Sequence, residues 1–194
     1  MLVGLTGGIG SVKTTVAKIF AEYDNVIVYY ADVEAKKLMN TSDKIREQLI
    51  KTFSEDAYVE GKLNRSYLAE IVFKDKEKLT TLNSIVHPEV YKHLTDFLEN
   101  NKDKAYIIYE NAILFENGSD QMCDKIITVT APEQIRLQRV VKRDNSTEQM
   151  VKERMENQWP EVKKIIQSNY IVTNVDLYST KNQVNKIHNK LTQS

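Results

Sequence analysis

The sequence predicts an α/β fold in which a parallel sheet is covered by helices on both faces. Two observations carry that expectation. Short apolar runs rich in β-branched and aromatic residues recur along the chain, and stretches with helical spacing separate them. The first run also enters its helix through a glycine-rich turn, Gly4-Leu5-Thr6-Gly7-Gly8-Ile9-Gly10-Ser11-Val12-Lys13-Thr14-Thr15.

Taken in order, Leu2-Val3-Gly4-Leu5 reads as a buried strand, and Thr14 to Tyr23 as a helix whose inner face is Val16, Ala17, Ile19 and Phe20. Val26-Ile27-Val28-Tyr29-Tyr30 is the second strand. Between Asp32 and Asn101 the pattern is mostly helical and too long for one crossover, so it reads as a helical insertion, with a polar turn at Glu60-Gly61-Lys62-Leu63-Asn64-Arg65. Ala105 to Tyr109, Lys125 to Val129 and Tyr170 to Val172 supply the remaining strands. A charged stretch from Lys142 to Glu148 leads into a helix through Met150, Glu153, Arg154 and Asn157-Gln158, which could form a mobile lid. His87-Pro88 reads as the end of a helical run, and the polar tail after His188 is expected to fray.

Composition narrows the function classes. At 194 residues the chain suits one sizeable domain or a core with small insertions. Lys+Arg and Asp+Glu both number 27, so bulk attraction to nucleic acid or anionic membrane is not expected and any anion site must be local. The single cysteine, Cys123, excludes an internal disulfide and fits a reducing compartment. No apolar run approaches the ~20 residues of a membrane span, and a cytoplasmic protein is expected.

The turn carries the chemistry. A glycine-rich loop between strand and helix points backbone N–H groups, and the positive end of the helix, at a phosphate. The pattern G-x-x-x-x-G-K-[ST] is met by Gly7, Lys13 and Thr14, while Val12 stands where it has glycine. Gly8, Gly10, Ser11, Val12 and Thr15 complete the cradle, Lys13 would reach the β- and γ-phosphates of a nucleotide, and the Thr14 hydroxyl would ligate magnesium. Valine tolerates positive φ poorly, so strain of about 1–3 kcal/mol is expected if the loop keeps its usual shape.

Asp32 follows the second strand and should project at the same sheet edge. It could take a proton from a substrate hydroxyl, help hold the metal, or cap its helix. Arg139 and Arg143, spaced i and i+4, share a helix face and could neutralise a transferring phosphate or form solvated ion pairs; Arg154 is a third such cation. His87 could touch a ligand or simply end its helix. Neither His93 nor His188 has companions at metal-ligand spacing.

With these pieces in order, the sequence resembles the dephospho-CoA kinases, within the P-loop nucleoside and nucleotide kinase group. The carriers are Gly4 to Ser11, Ala31-Asp32, Gly61 to Arg65 with Leu68 and Val72-Phe73, and Val86-His87-Pro88-Glu89-Val90. Later come Ala112 to Glu116, Asp124 to Ile127, Gln134 with Arg139, Arg143-Asp144, Gln158 and Asn174. Val12 departs from that family's glycine, and Ala112-Ile113-Leu114 from its common Pro-Leu-Leu run.

The resemblance implies a three-layer parallel-sheet P-loop kinase core with a helical substrate-binding insertion and a helical lid. The expected divisions are a core of 1–33, 76–140 and 161–194, a helical CoA-substrate domain of 34–75 that reaches at most to about 90, and a lid of 141–160. It implies transfer of the ATP γ-phosphate to the ribose 3′-hydroxyl of dephospho-CoA, with ATP and Mg2+ required and no nucleic acid or membrane partner. Asp32 becomes the base, Lys13 and Thr14 the phosphate and magnesium contacts, and Arg139 a lid-side phosphate contact. Arg143 and Asn174 join the nucleotide site, and Arg65 and His87 line the acceptor side. Two other readings stay open: a related kinase of another nucleoside or small metabolite, and a nucleotide-binding protein impaired by Val12.

Overall fold

The computed structural model describes residues 1–193, and side chains throughout these except Phe73 and Lys74. Ser194, the last residue of the expected core, and the side chain of Phe73 lie outside the described residues. The chain divides into two compact units, residues 1–30 with 101–194, and residues 31–100.

The first unit is built on a five-stranded sheet of β1 (Leu2–Thr6), β2 (Val26–Tyr30), β5 (Tyr106–Glu110), β6 (Lys125–Thr130) and β7 (Tyr170–Thr173), in the order β2-β5-β1-β6-β7. Every neighbouring pair is parallel, as continuous apolar strands separated by helices require. Because the chain runs outward from β1 to β2 and later fills the other side with β6 and β7, the order reverses at β1. Ligands bind such sheets beyond the carboxyl end of the strand at that reversal.

The helices of this unit are α1 (Lys13–Phe20), α6 (Glu133–Asp144), α7 (Glu148–Glu156), α8 (Glu161–Ile166) and α9 (Leu177–Thr192). Val16, Ala17, Ile19 and Phe20 of α1 and Val184, Ile187 and Leu191 of α9 are buried with Val3, Leu5, Ile108, Ile127 and Val129 of the strands. Each Val, Leu, Ile or Phe side chain so withdrawn from water contributes about 1.5–3 kcal/mol. Leu191 corrects the expectation that the tail frays after His188: α9 continues to Thr192 because Leu191 repeats the inward position of Ile187 one turn later. His188 itself stacks on Tyr23 at 3.7 Å and sets Nδ1 2.7 Å from the Tyr106 hydroxyl. Desolvation lowers the His188 pKa and raises that of Tyr106.

The second unit holds α2 (Ala31–Thr41), α3 (Asp43–Phe53), a hairpin of β3 (Tyr58–Val59) and β4 (Lys62–Leu63), α4 (Arg65–Lys74) and α5 (Lys76–Glu99). Ile45, Leu49, Ala57, Leu68 and Val86 form its core. Glu60 and Gly61 turn the hairpin with φ of 49° and 76°, the sign that a two-residue connection demands. The sequence reading ended a helix at Pro88; instead α5 runs unbroken for 24 residues with Pro88 inside it. Proline's fixed φ is helical and its ring forfeits one hydrogen bond, whereas Val86 before it and Leu94 after it are both buried by a continuous helix. α5 lies wholly in the helical unit of residues 31–100.

No helix among the described residues is long and apolar enough to cross a membrane.

Candidate active site

Residues 7–12 carry the chain from β1 into α1, and glycine is required at two of them. A Cβ on Gly7 (φ 150°) would fall 2.1 Å from the Val129 carbonyl oxygen, and one on Gly10 (φ 81°) 2.4 Å from that of Arg136. Val12 has φ 62° and ψ 48°, so the loop keeps the left-handed turn that its motif assigns to glycine. Its side chain is 39% exposed, which leaves backbone strain as the cost.

That cost sets a measurable expectation. A left-handed residue costs about 1–2 kcal/mol, more when β-branched, against roughly 0.5–1 kcal/mol of extra backbone entropy for glycine. Val12→Gly should raise the melting midpoint by about 2–4 °C for a chain of this size. A lower midpoint in a thermal scan would refute the strain.

The loop leaves several backbone donors without acceptors. α1 has no side-chain cap at its start, and the N–H groups of Gly10, Val12 and Thr14 donate to no acceptor among the described residues. Lys13 Nζ folds back to donate to the Gly7 carbonyl at 2.9 Å. Thr14 is exposed and Thr15 half-buried in the first turn of α1. Ser11 is buried, its N–H donating to Gly8 O at 3.1 Å and its hydroxyl making no hydrogen bond.

Side chains grip the outer carbonyls of the loop. Buried Asn174 donates Nδ2 to Ser11 O at 2.8 Å, while its own Oδ1 accepts from Thr180 at 3.0 Å and its N–H reaches Thr130 O at 2.8 Å. Arg139 Nη1 donates to Asn174 O at 3.0 Å and to Gly10 O at 3.5 Å, and Nη2 to Val175 O at 3.3 Å. Asn174 and Arg139 are thus brought to the loop, but as braces on its carbonyl side.

Arg143 is placed differently. Its guanidinium binds Asp144 through Nε at 2.7 Å and Nη2 at 3.0 Å, and Arg154 Nη1 takes the same carboxylate at 2.7 Å. These two arginines, Arg143 foremost, hold the Asp144 carboxyl well below the usual carboxylate range. Arg143 and Arg154 thus share one carboxylate, a cluster with one positive charge in excess.

Asp32, Arg65 and His87 belong to the helical unit. Asp32 is exposed on the first turn of α2, which begins at Ala31 directly after β2, so it is not the cap of that helix. Arg65 is the first residue of α4, behind Asn64, whose side chain accepts the Tyr67 N–H at 3.2 Å. His87 faces an open hollow of about 640 Å³ with Asn83, Ser84 and Tyr91, and desolvation lowers its pKa.

Sequence reasoning missed Arg136, which is almost fully buried one turn before Arg139. It pairs with Glu161 Oε2 at 3.0 Å and donates to Ala131 O at 3.1 Å and Ile9 O at 3.5 Å. Gln158 accepts the Ile9 N–H at 2.8 Å. Beside the loop lies a cavity of about 670 Å³ lined by Gly8, Arg136, Lys152, Gln158, Trp159 and Glu161. The cation at position 136 was visible as an i, i+3 partner of Arg139, but nothing in the spacing said which of the two faces the loop.

Comparison with known proteins decides the family. The dephospho-CoA kinase family model matches residues 1–178. The chain belongs to the dephospho-CoA kinase family. A dephospho-CoA kinase of Fusobacterium nucleatum is 36% identical over 175 residues, covering 90% of this chain and 89% of the relative. A crystal structure of a Thermus thermophilus protein superposes with a TM-score of 0.85 at 28% identity, covering 98% of this chain and 96% of the other. A Campylobacter jejuni dephospho-CoA kinase gives 0.71 at 23% identity over 99% and 97% of the two chains, which speaks for the fold alone. The loop, α1 and the Arg136, Arg139 and Asn174 braces all fall within the part matched by the dephospho-CoA kinase model.

Proposed function

We infer that the chain uses ATP to phosphorylate dephospho-CoA, giving coenzyme A and ADP. The family match over residues 1–178 carries this reading, and the cradle, with Lys13 and Thr14 in their motif positions, supports it against an impaired binding protein. In the reaction, the bond between the γ-phosphorus and the ADP oxygen breaks as one to the acceptor 3′-oxygen forms. The hydroxyl proton passes to Asp32 and then to solvent.

Phosphoryl transfer asks for alignment and charge neutralisation more than covalent chemistry. Inward N–H groups of the loop hold the β- and γ-phosphates, and Lys13 leaves Gly7 O to join them. Arg139 and Asn174 hold the loop around the nucleotide, and Arg143 lends positive charge from the end of α6. Arg65 and His87 contact the acceptor. Among the described residues no three His, Cys, Asp or Glu side chains converge to hold a metal; this suits an ion carried by nucleotide phosphates and held from the protein side by the Thr14 hydroxyl. Bound there, magnesium would offset the phosphate charge.

The test is ADP release with magnesium and ATP, with and without dephospho-CoA, and the product identified by mass. Acceptor-dependent release with a gain of one phosphoryl group is expected. Release with a different nucleoside or metabolite instead, or none with any acceptor, would overturn the reading.

A further inference from the structure

The peptide planes of the loop link its outer contacts to its inner surface. In a trans peptide the carbonyl and the following N–H point in opposite directions. A donor that fixes the Ile9 carbonyl from outside therefore turns the Gly10 N–H inward, just as Asn174 on the Ser11 carbonyl turns the Val12 N–H inward. Both of those N–H groups are left without an acceptor among the described residues. Arg136 is the donor on Ile9, and the preceding peptide is held at both poles, its Gly8 oxygen by the Ser11 N–H and its Ile9 N–H by Gln158.

We propose that Arg136, with Glu161 and Gln158, is a positioning device that aims the Gly10 N–H into the phosphate cradle. Arg136 does not touch the nucleotide; it acts through the loop backbone. Its guanidinium is locked by the Ala131 carbonyl and by Glu161, both outside the loop, so it presents Nη1 to Ile9 from a fixed frame. Gly8 leaves room for it: a Cβ there would stand 2.5 Å from Arg136 Nη1. Gln158 lies in the connection from α7 to α8 and Glu161 begins α8, so the end of the expected lid and the first residue after it hold the loop from that side.

The inference rests on ATP being the phosphoryl donor, and the experiment separates the two. MgATP and dephospho-CoA affinities are measured independently by calorimetry, without turnover, for the unaltered chain, Arg136→Met, Arg136→Lys and Gln158→Leu. A chain that binds no ATP would sink the donor reading itself. Given ATP binding, Arg136→Met should weaken MgATP roughly threefold to tenfold, the effect of losing one long hydrogen bond to the Ile9 carbonyl, and leave dephospho-CoA within about twofold. Arg136→Lys, which keeps the charge opposite Glu161, should recover part of the loss. Gln158 is only partly buried, so Gln158→Leu tests the same loop if Arg136→Met does not fold, and should also weaken MgATP selectively. Equal weakening of both ligands, or an unchanged MgATP affinity in Gln158→Leu, would overturn the proposal.

Discussion

Asp32→Asn should lower kcat for coenzyme A formation by about 10²–10⁴-fold, the range of a positioned general base, while leaving MgATP affinity within about twofold. Asparagine keeps the size of the side chain and its capacity to accept a hydrogen bond, but it cannot take the hydroxyl proton. Asp32 stands on the first turn of α2, exposed and immediately beyond the carboxyl end of β2, where its carboxylate is available to an incoming hydroxyl. The size of the loss separates two roles. In a loose phosphoryl-transfer transition state little negative charge is demanded of the attacking oxygen, so a carboxylate that only orients the hydroxyl contributes toward the lower end of the range. A loss near the upper end, with Asp32→Glu also inactive, means that proton acceptance at a fixed point is required. Turnover within a few-fold of the unaltered chain would remove Asp32 from the reaction. Steady-state rates at saturating ATP and dephospho-CoA, with ATP titrated separately, supply both numbers.

The parts of this site that were legible in the sequence are those built from consecutive residues. A strand, a glycine-rich turn and a helix in one 20-residue run place Gly7, Gly10, Lys13 and Thr14 by chain connectivity alone, and the motif even marks Val12 as the residue that must turn left-handed. The parallel sheet was legible because each strand is apolar on both faces. What was not legible depends on partners distant in sequence. Pro88 looked like a helix end because its penalty is local, while the burial of Val86 and Leu94 that outweighs it comes from tertiary packing. Arg136 and Arg139 differ by one helical turn, and only the position of the loop decides that both meet its carbonyls. Asn174 was named through the resemblance, but its contact with the Ser11 carbonyl, 163 residues away, was not. Glu116 and Lys164 likewise carry no local signal, since no spacing rule connects a loop after β5 with α8.

That last pair should yield the largest change in stability. Lys164 is fully buried, with Nζ 2.7 Å from Glu116 Oε1 and 3.2 Å from the Ala112 carbonyl oxygen. Glu116 Oε1 also accepts the Trp159 N–H at 2.9 Å, and Oε2 is buried without a hydrogen bond. Removing one partner leaves the other charge in the interior, which costs about 3–5 kcal/mol. Glu116→Ala should therefore lower the melting midpoint by roughly 6–20 °C in a chain of this size. A buried pair is weak evidence of net stabilisation, because each ion has also given up its hydration. The double variant Glu116→Leu with Lys164→Met should accordingly recover most of the loss. What it should not recover is the placement of the α7 to α8 connection, because Trp159 loses the acceptor for its N–H. Trp159 is the chain's one tryptophan, stacked on Phe115 at 5.7 Å with Lys163 Nζ 3.3 Å above its ring, so its fluorescence reports this segment directly. A recovered midpoint with an altered Trp159 spectrum would assign the pair to positioning Gln158 and Glu161 against the phosphate loop. A Glu116→Ala midpoint within about 2 °C of the unaltered chain would mean that the Lys164 ammonium reaches water or another acceptor when its partner is removed, and the pair would then carry neither stability nor position.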